Sequence, residues 1–159
     1  MSPMPADGGE GRVQPRLASI ELLVADDDPD DRFMILRALR RCRERLAVHT
    51  VRDGVEVMEQ LQALRAAGLP LPRLLLLDLN MPRMDGREVL AALKVDADFR
   101  TMPVVVLSTS VEAEDLRRAH AEGAASFISK PEGFGQLVST LRGLLDHWFD
   151  VARNPVAER

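Results

Sequence analysis

The chain has 159 residues, 46 % of them hydrophobic, enough for one domain that buries roughly two-thirds of its unfolded surface. Its net charge of −4 gives no global attraction to nucleic acid or to an anionic membrane, and neither is expected as a partner. The lone cysteine, Cys42, excludes an internal disulfide and a cysteine zinc site; with no apolar run near the roughly 18 residues of a membrane span and no apolar signal core, a cytoplasmic protein is expected.

Residues 1–18 are rich in Pro and Gly and lack an apolar period, so a flexible tail is expected, then one domain over 19–149 and a short tail at 150–159. Inside the domain, strand and helix patterns alternate. Strands are expected at Glu21–Ala25, Ala47–Val51, Leu74–Asp78, Val104–Ser108 and Ser126–Ile128. Helices are expected at Pro29–Arg45, Gly54–Ala67, Arg87–Lys94, Val111–Glu122 and Phe134–Phe149. Five βα units in a row imply an α/β fold: a doubly wound parallel sheet with right-handed crossovers and helices on both faces. Asp53 is placed to cap the second helix, and Gly123 to end the fourth in a left-handed turn.

In such a sheet, ligands bind beyond the carboxyl ends of the strands, where the winding reverses. Asp26, Asp27, Asp78, Ser108 and Lys130 all fall at or just past such an end. Within the run DDDPDD, Asp28 before Pro29 reads as an N-cap, and Asp30 and Asp31 as first-turn charges offsetting the helix dipole. Asp26 and Asp27 precede the helix and stand free for another task, although capping or loop solvation is an alternative for them too.

Clustered carboxylates repel unless a cation neutralises them, and Mg2+ takes a few oxygen ligands while keeping several waters. Asp27 and Asp78 are assigned as direct ligands, the Asn80 backbone carbonyl as a third, and Asp26 as acting mainly through bound water. Asp78 ends the buried run LLLL, where an unpaired charge is costly. It is therefore the candidate nucleophile, able to accept a phosphoryl group as an acyl phosphate when a metal offsets the charge. Lys130 would add compensation, but it reads equally as a snorkelling surface lysine. Ser108 reads as a helix cap or, with Thr109 and Ser110 available for that job, as a free hydroxyl.

Taken together, DD after the first strand, D-x-N-M-P with a following DG after the third, a serine ending the fourth and KP after the fifth resemble the receiver domain of two-component response regulators. The spacings agree, with 30 residues from Asp78 to Ser108 and 22 from Ser108 to Lys130. The resemblance covers about Ile20 to Phe149. It implies a flavodoxin-like (βα)5 sheet of order 2-1-3-4-5 and a phosphoacceptor at Asp78. It also implies a cation held by Asp26 and Asp27, Ser108 hydrogen-bonded to the phosphoryl group, and Lys130 paired with it. Phe127 falls where receivers carry an aromatic that turns inward with the hydroxyl residue; an ordinary core role is the alternative. With ten residues after Phe149, no output domain is expected, and a single-domain regulator is implied. The text LLLLDLNMPRMDGREVLAALK and the late HWF look most like stand-alone regulators that partner phytochrome histidine kinases.

The last helix carries an apolar band that includes Leu145, Trp148 and Phe149 and is wider than one sheet-facing stripe requires. A homodimer through the last two helices is expected, the alternative being that all three residues are core. On the first helix, Arg32, Arg37, Arg40, Arg41, Arg43 and Arg45 surround Phe33, Leu36 and Leu39. They read as a solvated basic face or, since the resemblance places that helix beside the active site, as a docking face for a sensor histidine kinase; nucleic acid is a third reading, set back by the acidic total charge. The leading function is a phosphorylation-controlled signalling module that catalyses only its own phosphorylation and dephosphorylation. An aspartate-nucleophile phosphatase is the first alternative, disfavoured because Asn80 stands where a second acid would be wanted; a phosphorylation-independent adaptor is the second.

Overall fold

The buried run LLLL forms the central strand of the sheet, and its neighbours set out the rest of the molecule. The computed structural model describes residues 18–109, 117, 121 and 123–151. In chain order these form β1 (Leu22–Ala25), α1 (Pro29–Cys42), β2 (Val48–Val51), α2 (Gly54–Ala66), β3 (Leu74–Leu77), α3 (Gly86–Lys94), β4 (Val104–Ser108), β5 (Ser126–Ser129) and α4 (Phe134–Leu145). The strands pair in parallel in the order β2-β1-β3-β4-β5, the flavodoxin-like order that the resemblance implied. The helix expected at 111–122, and most of the two expected tails, lie outside the described residues.

Alternation along each strand divides the core into two layers. Leu23, Ala25, Leu75, Leu77, Val104 and Val106 face Val57, Leu61, Val89 and Leu93 of α2 and α3. Leu22, Val24, Leu74, Leu76, Val105 and Leu107 face Ile35, Leu39, Leu137 and Leu141 of α1 and α4. Strands covered on both faces can be apolar at every position, and all four residues of β1 and of β3 are buried.

The helix starts follow from side-chain caps. Asp28 accepts from the Asp30 N–H at 2.8 Å and from the Asp31 N–H at 3.4 Å, with Pro29 opening α1. Asp53 accepts from the Glu56 N–H at 2.9 Å. Asp85 and Glu88 form a reciprocal capping box, so α3 starts at Gly86, one residue before the expected Arg87. The first helix stops at Cys42 rather than Arg45, because Arg43 turns extended at φ −151° while its N–H still reaches Leu39 O. Gly123 has a left-handed φ of +101°, as expected.

The side chains expected at a subunit interface divide between the core and the surface. Beyond α4 the backbone widens into a π-type turn over Asp146–Val151, which turns Phe149 into the chain's own core. Leu145 is 1 % exposed and Phe149 0 %, while Trp148 keeps part of its surface. The guanidinium groups of Arg43 and Arg73 lie 5.8 and 5.2 Å from the Phe149 ring and close over it. Two of the three side chains on which self-association rested are therefore already covered. Among the described residues no helix is long and apolar enough to cross a membrane.

Candidate functional site

Every parallel strand points its carboxyl end at the same edge, and backbone bonds carry the chain one residue further in register. The Asp26 N–H donates to Val51 O at 3.1 Å, Asp78 N–H to Ala25 O at 3.0 Å, and Lys130 N–H to Ser108 O at 3.0 Å. These bonds fix the first residue past β1, β3 and β5. Among the described residues the buried polar or charged side chains are Asp26, Asp53, Asp78 and Ser108, at 1, 4, 6 and 0 % exposure. Three of the four belong to this edge. Asp53, the fourth, is a helix cap paired with Arg83 Nε at 2.8 Å.

The carboxylates of Asp26, Asp27 and Asp78 offer oxygen atoms that all lie within 4.8 Å of one another. Asp26 Oδ1 accepts from the Asp28 N–H at 3.0 Å, and its Oδ2 lies 2.6 Å from Lys130 Nζ. Arg32 Nη1 donates to the Asp26 carbonyl at 2.7 Å. Asp78 Oδ1 accepts from the Ser108 hydroxyl at 2.9 Å and from the Asn80 N–H at 3.4 Å, and its Oδ2 is 3.7 Å from Lys130 Nζ. Asp27 is exposed, which leaves the cluster open to solvent on one side.

Burial dominates the electrostatics. It pushes the Asp26 carboxyl up to about 6, against the opposing pull of Lys130 and the Asp28 N–H. It also raises Asp78, although Lys130, Ser108 and Asn80 pull the other way. For Lys130 burial acts to release the proton, but hydrogen bonds to Asp26 and Asp31 outweigh it and hold the ammonium firmly charged. One cation thus faces three crowded carboxylates, two of them with raised affinity for a proton. A hard divalent ion suits such an all-oxygen set, and these residues fit Mg2+.

Asp26, Asp27, Asp78, Ser108 and Lys130 come together at this edge. Asn80 beside them is exposed and donates its N–H to Asp78 Oδ1. Phe127 is half-buried on β5 opposite Val106 and packs against the layer formed with α2 and α3. Leu145, Trp148 and Phe149 sit away from this edge, with Arg73, just before β3, beside Phe149. Asp31, read only as a first-turn charge, is in fact also an ion-pair partner of Lys130 at 2.8 Å. The Arg83 to Asp53 clip was not anticipated either; it holds the loop after β3 to the start of α2, with Arg83 at a left-handed φ of 65°.

Residues 22–142 match the response regulator receiver domain family. The chain belongs to that family, and so to the receiver proteins of two-component signalling. It is 35 % identical to the probable methanogenesis regulatory protein FilR2 of Methanothrix harundinacea, over 84 % of this chain and 86 % of that one. It is similar to response regulator Rcp1 of Synechocystis, at 33 % identity over 86 % of this chain and 93 % of the relative. The structure of Rcp1 in its Mn(2+)-bound form superposes with a TM-score of 0.71, covering 82 % of this chain and 94 % of that one, at 29 % identity. The phosphorylated cyanobacterial phytochrome response regulator RcpA gives 0.74 at 36 % identity, with the same coverage of 82 and 94 %.

Proposed function

We propose that the protein accepts a phosphoryl group on Asp78 from a phosphohistidine of a sensor histidine kinase in the cytoplasm, and that this switches its partner-binding face. The observation that carries this reading is Asp78 itself. It is a buried carboxylate at the tip of the central strand, with two more acids, a lysine and a serine hydroxyl brought to it by three other strands.

In the transfer an Asp78 carboxylate oxygen attacks phosphorus, an O–P bond forms, the P–N bond breaks, and the departing imidazole takes up a proton. Asp78 Oδ1 is held by Ser108 and Asn80, which fixes the carboxylate plane and turns Oδ2 toward Lys130. Lys130 and the Ser108 hydroxyl then lie within reach of the new phosphoryl oxygens. Asp27 and Asp78, with the Asn80 carbonyl, are the residues that would hold Mg2+, with Asp26 acting through bound water, and the ion would supply charge compensation during the transfer. Movement of Ser108 toward the phosphoryl group frees space beside β4 that the half-buried Phe127 fills, which gives the two-state element of the switch.

RcpA, described as phosphorylated, and Rcp1, described as Mn(2+)-bound, support this chemistry in relatives. RcpA also supports a phytochrome kinase as the partner, whereas FilR2, similar to the same degree, is named for methanogenesis. The test is intact mass after incubation with acetyl phosphate and Mg2+. One phosphoryl group is expected on the parent and none on Asp78→Asn; an unmodified parent overturns the reading. Transfer from a purified bacteriophytochrome kinase, set against other kinases, tests the partner.

A further inference from the structure

Lys130 is held at both ends. Its N–H donates to Ser108 O at 3.0 Å, so its backbone is part of the sheet edge. Its ammonium lies 2.6 Å from Asp26 Oδ2 and 2.8 Å from Asp31 Oδ2, but 3.7 Å from Asp78 Oδ2. An ammonium has three donors, and two of them are taken on the α1 side of the cluster. Asp26 belongs to the acidic cluster; Asp31 does not. Asp31 stands in the first turn of α1 with its side chain 40 % exposed, against 11 % for Lys130.

A phosphoryl group on Asp78 brings almost two negative charges to the side that Lys130 now meets only at long range. To pair with it closely, the ammonium must move toward Asp78 and away from α1. Asp31 pulls in the opposite direction, over a distance typical of a charge-assisted hydrogen bond, 2.8 Å.

We propose that Asp31 is a positioning residue that holds the Lys130 ammonium on the α1 side of the site and so restrains phosphoryl capture at Asp78. This rests on Asp78 being the phosphoacceptor. Its consequence is that phosphorylation breaks the Asp31 to Lys130 pair, and the first turn of α1 then loses its link to the end of β5.

The test compares the parent with Asp31→Asn, Asp31→Glu, Lys130→Met and the double variant Asp31→Asn/Lys130→Met. The rate of phosphorylation by acetyl phosphate with Mg2+ is expected to rise roughly two- to fivefold in Asp31→Asn, the size of one partly exposed ion pair. Asp31→Glu is expected to restore the parent rate. Lys130→Met and the double variant are expected to match each other, because the effect passes through the lysine. A gain that persists without Lys130 would mean direct repulsion of the donor by Asp31 and would overturn the proposal. A parent that takes up label, with Asp31→Asn unchanged from it, would overturn this inference alone; a parent that takes up none would overturn the acceptor assignment and this inference with it. A metal-free readout accompanies these rates: exchange of the Lys130 ammonium protons, followed by 15N NMR, is expected to quicken in Asp31→Asn. Unchanged exchange would show that Asp31 does not hold the lysine.

Discussion

The Ser108 hydroxyl donates to Asp78 Oδ1 at 2.9 Å across the tips of β4 and β3, with both side chains buried. In Ser108→Ala that oxygen keeps only the long bond from the Asn80 N–H at 3.4 Å. Loss of the bond is expected to cost about 1 kcal/mol. The Asp78 carboxyl is expected to rise further, because Ser108 is one of the groups that pull it down. A urea midpoint lowered at constant m and an upward shift in a 13C titration of Asp78 are the two readouts. An unchanged midpoint would show that the bond gives no net stabilisation.

Asp26 supplies the pH dependence. Burial raises its carboxyl from 3.8 to about 6 in the folded protein, so between those values the folded chain holds more protons than the unfolded one. For this group the metal-free protein therefore gains stability as pH falls from about 7 to about 4. Mg2+ binding runs the other way, because the cation favours the charged carboxylates. Affinity for Mg2+ is expected to fall about tenfold between pH values of about 7.5 and about 5, as a proton occupies Asp26 in most molecules. Calorimetric titration at the two pH values measures this, and equal affinities would place Asp26 outside the cation's influence.

Gly86 meets the site from behind. Its N–H donates to Leu79 O at 2.9 Å, and a Cβ there would collide with the Asp78 carbonyl and come within 2.8 Å of Leu79 Cα. Gly86→Ala must therefore displace the start of α3 or the strand tip that carries Asp78. A loss of about 1–3 kcal/mol is expected, together with weaker Mg2+ binding. A methyl group on Gly143 in α4 would meet nothing within 4 Å, so Gly143→Ala is expected to stabilise by about 0.5–1 kcal/mol and leave Mg2+ binding alone. Thermal melts with and without Mg2+ separate the two effects.

The convergence of the site was legible because two-sided burial leaves few reasons for a polar residue at a strand end. LLLLD placed Asp78 by that argument, and parallel topology put Ser108, which also read as a helix cap, on the same edge. The Asp31 to Lys130 pair was not legible. It spans 99 residues, and each partner has a sufficient local explanation, a helix dipole for one and snorkelling for the other. The start of α3 lay within reach of the sequence but was placed one residue late: an acceptor at Asp85 followed three residues on by Glu88 is the usual spacing of a capping box. The burial of Phe149 was hidden for a different reason. A regular 3.6-residue period puts the end of the last helix beyond the sheet, and the widening turn at Asp146–Val151 that brings Phe149 back carries no compositional mark.

That turn sets the last prediction. Phe149 is 0 % exposed and lies between the guanidinium groups of Arg43 and Arg73, so it closes the layer between α1, α4 and the sheet at the end remote from Asp78. Removing a fully buried aromatic side chain leaves a cavity, and Phe149→Ala is expected to cost about 3–5 kcal/mol. The half-covered Trp148 loses less on truncation, about 1–2 kcal/mol, because less of its surface leaves contact with the chain. Light scattering on the folded fraction of Phe149→Ala is expected to give the same mass as the parent, since the ring contacts its own chain. Full stability in Phe149→Ala combined with a drop from dimer to monomer mass would reverse that assignment and return this residue to a subunit interface.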